Sequence, residues 1–142
     1  MGNENSELDM EFYLDSGAFD HMYKDIRLHG NCAKLKKWKQ IKIDDGTLVT
    51  AIGTGTIYIQ SYNGEKLIKV ELQNVLHAPK LKINLFSQGK VLDKRLYMTQ
   101  NSHCAKFIHQ ESKKICVVAK REDKLFKMIF RFDKNRKSTH QN

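Results

Sequence analysis

An all-β fold, a small closed or partly open barrel with one short helix, is what the residue pattern predicts. Three observations carry that reading. Short apolar runs follow one another along the chain, an Asp-Gly and an Asn-Gly pair each fall between two such runs, and the single proline closes one of them. At 142 residues the chain has the length of one domain and can bury a core of its own.

Taken in order, residues 1–9 are polar and are expected to form a disordered N-terminal tail. The folded domain is expected over 10–132. Phe12-Tyr13-Leu14 reads as a strand running into Asp15. Ile41 and Ile43 alternate with Lys42, and Asp44-Asp45-Gly46-Thr47 then separates them from Leu48-Val49-Thr50-Ala51-Ile52, the pattern of a hairpin. Gly53-Thr54-Gly55 leads, as a turn, into the strand Thr56-Ile57-Tyr58-Ile59. Asn63-Gly64 marks a second hairpin and opens onto Leu67–Leu72, with strand character continuing through Val75-Leu76. Pro79 ends that run because it cannot donate to a sheet ladder. From Asn84 to about Asp93, Leu85, Phe86, Gly89 and Leu92 recur at helical spacing, with Asn84 or Ser87 as cap. A further hairpin joins Ala105–Ile108 to Ile115–Val118 around Gln110-Glu111-Ser112, and Leu125–Phe132 forms a last strand. Residues 133–142 are expected as a basic, disordered tail.

The formal charge of +9 suggests an acidic partner such as RNA. The basic residues are spread, however: Lys34, Lys36, Lys37 and Lys39, then Lys113 and Lys114, then Lys134, Arg136 and Lys137. Without an RNA-binding signature of interleaved aromatics, a plain basic surface is the simpler reading, and nucleic acid remains a weakly supported partner. Trp38 is expected to be an edge or core anchor. Three widely spaced cysteines, Cys32, Cys104 and Cys116, argue against a disulfide framework and for a reducing compartment. His103-Cys104 and His109 with Cys116 offer no CxxC or HxxxH pairing, so neither a metal nor a cofactor is expected. No apolar run is long enough to span a membrane, and no secretory signal is present. Met1-Gly2-Asn3-Glu4-Asn5-Ser6 fits the short myristoylation pattern at Gly2, but a polar leader explains it equally well.

The segment with chemical content is Leu14-Asp15-Ser16-Gly17-Ala18. A carboxylate follows an apolar strand, a small hydroxyl residue can bond nearby backbone, and glycine lets the chain turn tightly beside the carboxylate. One carboxylate is a poor catalyst of peptide hydrolysis. Two that share a proton are a good one, because like charges a few ångströms apart cannot both ionise. The string occurs once here, so such a pair needs a second copy of the chain.

Tyr13-Leu14-Asp15-Ser16-Gly17-Ala18-Phe19-Asp20-His21-Met22 resembles the LDSGASDHM opening of copia-type LTR retrotransposon proteases. Ile41-Lys42-Ile43-Asp44-Asp45-Gly46 resembles their I-x-x-ADG stretch, and Gly53-Thr54-Gly55-Thr56-Ile57 their G-x-G-T-I. Val75-Leu76-His77-Ala78-Pro79-Lys80-Leu81-Lys82-Ile83-Asn84-Leu85-Phe86-Ser87 resembles VLYVP-x-LK-x-NLLS. The resemblance runs from Phe12 to Leu96 and continues more weakly to Phe132.

That family is similar to the retroviral proteases, so the resemblance implies a retropepsin-like closed barrel and an aspartic endopeptidase active as a homodimer. Asp15 would be the catalytic carboxylate, Ser16 would bond across the dimer axis, and Gly17 would expose backbone to substrate. Ala18, Phe19 and Asp20 would contact the peptide. The hairpin tip Asp44, Asp45, Gly46 and Thr47 would be the flap, with the Gly53-Thr54-Gly55 turn as the other candidate. The implied substrate is the element's own Gag-Pol polyprotein, within a cytoplasmic virus-like particle. Phe19 stands where the family usually has Ser or Thr. It would either shape a substrate pocket or pack on a neighbour. The β segments after Leu96 exceed a minimal retroviral protease. A Ser/His/Asp hydrolase pairing Ser16 with His21 lacks a G-x-S-x-G elbow, so His21 reads as structural. The competing functional reading is a non-catalytic module, retained by a host for protein or RNA binding.

Overall fold

The structure is a computed structural model that describes residues 9–25, 31–43 and 45–133. Ten strands form one sheet: β1 (Asp9–Asp15), β2 (Met22–Tyr23), β3 (Asn31–Lys42), β4 (Leu48–Tyr62), β5 (Leu67–His77), β6 (Asn84–Ser87), β7 (Leu96–Gln100), β8 (Cys104–His109), β9 (Ile115–Glu122) and β10 (Leu125–Phe132). One helix, α1 (Gln88–Leu92), follows β6 directly. The sheet runs β3-β4-β5-β2-β6-β1-β10-β9-β8-β7, and a further pairing of β4 with β10 closes its middle into a ring. The all-β, barrel-like architecture expected from the turn pattern is therefore present. β3 and the β9-β8-β7 meander lie outside the ring.

Local turn chemistry sets the hairpins. Gly46 takes φ +85°, where a side chain would be strained, and its N–H donates to the Ile43 carbonyl at 2.8 Å. Asn63 Oδ1 accepts from the N–H groups of Glu65 and Lys66, both at 2.9 Å. The strands they join are long, and each of the two ladders carries one register break.

The ring is filled from its inner face. In β1, Met10 and Phe12 point inward while Asp9 and Glu11 do not, the alternation of a strand with one buried side. Phe12 is fully buried, stacked on Tyr23 at 5.6 Å and tilted against Phe130 at 5.4 Å. A second cluster, built from Met22, Val49, Ala51, Leu76, Leu81 and Leu85, lies under the β3–β4 hairpin.

Four expectations are corrected. The Asn84–Asp93 segment is helical only from Gln88, because Asn84–Ser87 is a fully buried strand pairing parallel with β1. Burial between two strands overrides the helical spacing of Leu85 and Phe86. Gly53-Thr54-Gly55 makes no turn. It lies inside β4, paired with β3 on one side and β5 on the other. Its glycine serves close approach instead, since a Cβ at Gly53 would meet the Ala33 carbonyl oxygen and Cys32 Sγ at 3.1 Å each. Asp133 is buried, with its N–H donating to the Tyr58 carbonyl at 3.0 Å, so the expected tail does not begin there. At the other end, Asp9 belongs to β1 and pairs with Arg131. Residues 1–8 and 134–142, including Gly2, lie outside the described residues. Of the two places expected for Trp38, edge or core, the structure gives the edge: it is 65% exposed on the outermost strand β3.

Because Phe12 touches both sides of the ring, Phe12→Ala is expected to lower unfolding free energy by about 3–5 kcal/mol in urea titrations. A loss below about 1 kcal/mol would mean that the closed ring does not hold the fold together.

Candidate active site

Asp15 ends β1, and the parallel ladder with β6 sets it opposite Ser87. The chain then turns. The Gly17 N–H donates to Asp15 Oδ1 at 2.8 Å, so the carboxylate is tied to its own loop. Ser87 braces that loop from the neighbouring strand. Its hydroxyl donates to the Ala18 carbonyl at 2.7 Å and accepts from the Lys90 N–H at 3.2 Å, capping α1. Its own N–H donates to His21 Nδ1 at 2.9 Å.

His21 is buried, its ring 4.9 Å from that of Phe86. Because Nδ1 accepts a bond, the neutral ring carries its proton on Nε2. Burial, then the nearby Lys90 charge, push its pKa down to about 4, with Lys94 adding slightly and Asp20 opposing. The loop's far end is fixed twice more. The Leu76 N–H donates to the His21 carbonyl at 2.9 Å, and Asp20 pairs with Lys90 Nζ at 3.2 Å. Lys90 Nζ also donates to the Asn74 carbonyl at 3.1 Å.

Two cavities meet at Asp15. One, of about 370 Å³ and mainly apolar lining, brings Asp15 together with Asp45 and Thr47 of the hairpin tip and with Ile43, Val49 and Leu81. The other, of about 520 Å³, holds Asp15, Gly17, Ala18, Phe19 and Asp20 against residues 39–43 of the same hairpin. Asp15, Ile43 and Leu85 line both, so one cleft passes the carboxylate on either side beneath the hairpin. A larger hollow of about 820 Å³, between Glu11, Tyr23 and Lys82, includes no residue of the 15–21 loop. The cleft at Asp15 is the better candidate despite its size, because it joins a braced carboxylate to an apolar wall and an overhanging hairpin.

The expected residues fall as follows. Asp15, Ala18 and Asp20 are half-buried, while Ser16 and Gly17 are exposed. Phe19 is 92% exposed and is among the residues that line the second cavity. Asp45, Gly46 and Thr47 form the exposed hairpin tip, and Asp44 lies outside the described residues. Hydrogen bonds from Thr47, including its N–H at 2.9 Å, hold the Asp45 carboxyl below its ordinary pKa. The 53–55 segment lines neither cavity. The resemblance implies that Asn84–Ser87 packs behind the Asp15 loop and leads into the helix, and Ser87 lies there; that its hydroxyl and the Lys90 ammonium bond to the loop was not read from the sequence. Among the described residues, no three His, Cys, Asp or Glu side chains converge as a metal site would require.

A family model described as the Pol polyprotein beta-barrel domain matches residues 12–96, more than half of the chain. The matched span holds the 15–21 loop, the overhanging hairpin, β6 and α1. No curated protein and no solved structure matches.

A histidine held neutral when folded, but free to protonate when unfolded, makes acid destabilising. The stability present above pH 6.5 is expected to fall as the pH drops toward 4, by about 3 kcal/mol from His21. Urea midpoints of the native chain and His21→Asn across that window isolate the contribution. Identical slopes in the two proteins would contradict a buried neutral His21.

Proposed function

The chain belongs to the Pol polyprotein beta-barrel domain family and is retroelement-derived, and from that premise we propose that it is an aspartic endopeptidase of the copia type. On this reading it works as a homodimer and cleaves its own Gag-Pol polyprotein in a cytoplasmic particle. The observation that carries it is the placement of Asp15. A carboxylate in an Asp-Ser-Gly turn, held by the Gly17 N–H, sits where two cavities join under a hairpin.

In the proposed dimer, Asp15 of each copy contributes one member of a proton-sharing pair. The ionised member takes a proton from water as the water attacks the peptide carbonyl. The protonated member donates to the carbonyl oxygen. An extended peptide would run along the cleft, with apolar side chains against Ile43, Val49 and Leu85. The tip residues 45–47 would act as the flap, and their shared cavity with Asp15 supports that assignment over the 53–55 segment. Closure excludes water and strengthens the electrostatics of the acid pair. Ser16, exposed at the outer side of the loop, is free to bond to the second copy. Asp20 is engaged by Lys90, so its contact with substrate backbone would use the remaining oxygen. Phe19 projects from the same loop, open to a substrate side chain or to the partner copy.

Asp15→Asn is expected to reduce peptide cleavage by at least about 10²–10⁴-fold while leaving the urea midpoint unchanged. Mixing distinguishes a half-site from a complete site. A tenfold excess of Asp15→Asn chains should depress native activity by about tenfold, through mixed dimers. Undiminished activity in the mixture would reject the shared pair.

A further inference from the structure

β3 is the outermost strand on its side of the sheet and pairs only with β4. Its ladder breaks between Lys34, opposite Gly53, and Lys39, opposite Ala51. Leu35 to Trp38 therefore stand against a single residue of β4 and bulge from the edge. Leu35 is half-buried and packs on the cluster beneath the hairpin, which anchors the bulge. Lys34, Lys36, Lys37 and Lys39 are exposed, and Trp38 among them is 65% exposed.

Nothing nearby in the strand pair neutralises this strip. β4 carries no charged residue along its length, and no acidic residue occurs in sequence between Asp25 and Asp44. None of the ion pairs between described residues engages the four lysines. A lysine-rich edge alone protects a sheet from pairing with another, and needs no ligand. An open tryptophan in its midst does not serve that purpose, because it offers apolar area on an unpaired edge. Lysines flanking an exposed indole are instead the composition of a surface that follows phosphates and stacks bases. The aromatic interleaving missing from the wider pattern of basic residues is present at this one place.

We infer that the β3 edge is a docking strip for single-stranded nucleic acid, with Trp38 stacking on an unpaired base and Lys34, Lys36 and Lys37 meeting the flanking phosphates. A duplex does not suit the strip, because its base faces are already stacked on one another. The inference goes beyond the proposed peptidase and holds whether or not Asp15 hydrolyses peptides.

Trp38 is the only tryptophan of the chain, so intrinsic emission reports stacking at this residue alone. Titrating the full chain with a short oligouridylate RNA is expected to quench that emission to a plateau. Heparin, a polyanion without bases, is expected to bind without comparable quenching. In anisotropy assays with labelled RNA, Trp38→Ala should weaken affinity about 5–150-fold, and Trp38→Phe should retain most of it. Lys36→Gln with Lys37→Gln should flatten the log-affinity against log-salt slope by about 1.4. Lys113→Gln with Lys114→Gln should not change it. Absent quenching, or equal quenching by heparin, overturns the inference, as does an equal loss of slope in both double variants.

Discussion

The parallel pairing of β1 with β6 is the constraint on which the Asp15 region depends. It sets Ser87 beside the carboxylate, and from there one side chain and its backbone N–H reach three separate features. The hydroxyl holds the Ala18 carbonyl and caps α1, while the N–H fixes the tautomer of His21. Strand, loop and helix therefore share one residue. Bonds of this kind in a dry interior reinforce one another, and leaving any partner unmet would be costly. This is also why β6 is entirely buried and cannot be helical: a helix from Asn84 would lose the register that delivers Ser87.

The second constraint is the length of β4. One edge of this strand serves two partners, β3 along residues 48–56 and β10 along 59–61. Ring closure therefore uses only its far half. The near half leaves the ring with β3, as a ribbon over the cleft. Beyond Gly53 toward the tip, β4 has no ladder with β5, so the ribbon is two-stranded there. Two strands alone are marginal, and this pair is seated by Val49 and Ala51, with Ile41 and Ile43, on Leu81 and Leu85. An element held by one apolar face and no third strand is suited to opening and reseating.

The sequence disclosed what depends on near neighbours. Asp45-Gly46 and Asn63-Gly64 announced their hairpins, because turn conformation is settled within four residues. The Leu125–Phe132 strand was found at its true limits. Features created by distant pairing were hidden. β2 is two residues long and exists only because Met22 meets Leu76 and Leu85. Gly53-Thr54-Gly55 has the composition of a turn, but two flanking strands hold it straight. Asp15 could be singled out through the Asp-Ser-Gly string and its resemblance. The resemblance also set Asn84–Ser87 behind its loop, but the bonds from the Ser87 hydroxyl and from Lys90, some seventy positions away, leave no mark in the sequence.

The proposed pairing with a second copy is consistent with the other described carboxylates at the cleft. Asp45 shares a cavity with Asp15, but Thr47 stabilises its charged form, so it is a poor holder of a shared proton. Asp20 lines the opposite cavity, and one of its carboxylate oxygens is held by Lys90 Nζ at 3.2 Å. Each of these two described acidic neighbours thus has a partner of its own. An acid pair needs two groups in matching surroundings, so that one proton can sit on either. Among the described residues, neither Asp45 nor Asp20 offers that match, and in the proposed dimer another Asp15 loop would. The exposed faces of Ser16, Gly17 and Phe19 are the side from which such a loop would approach.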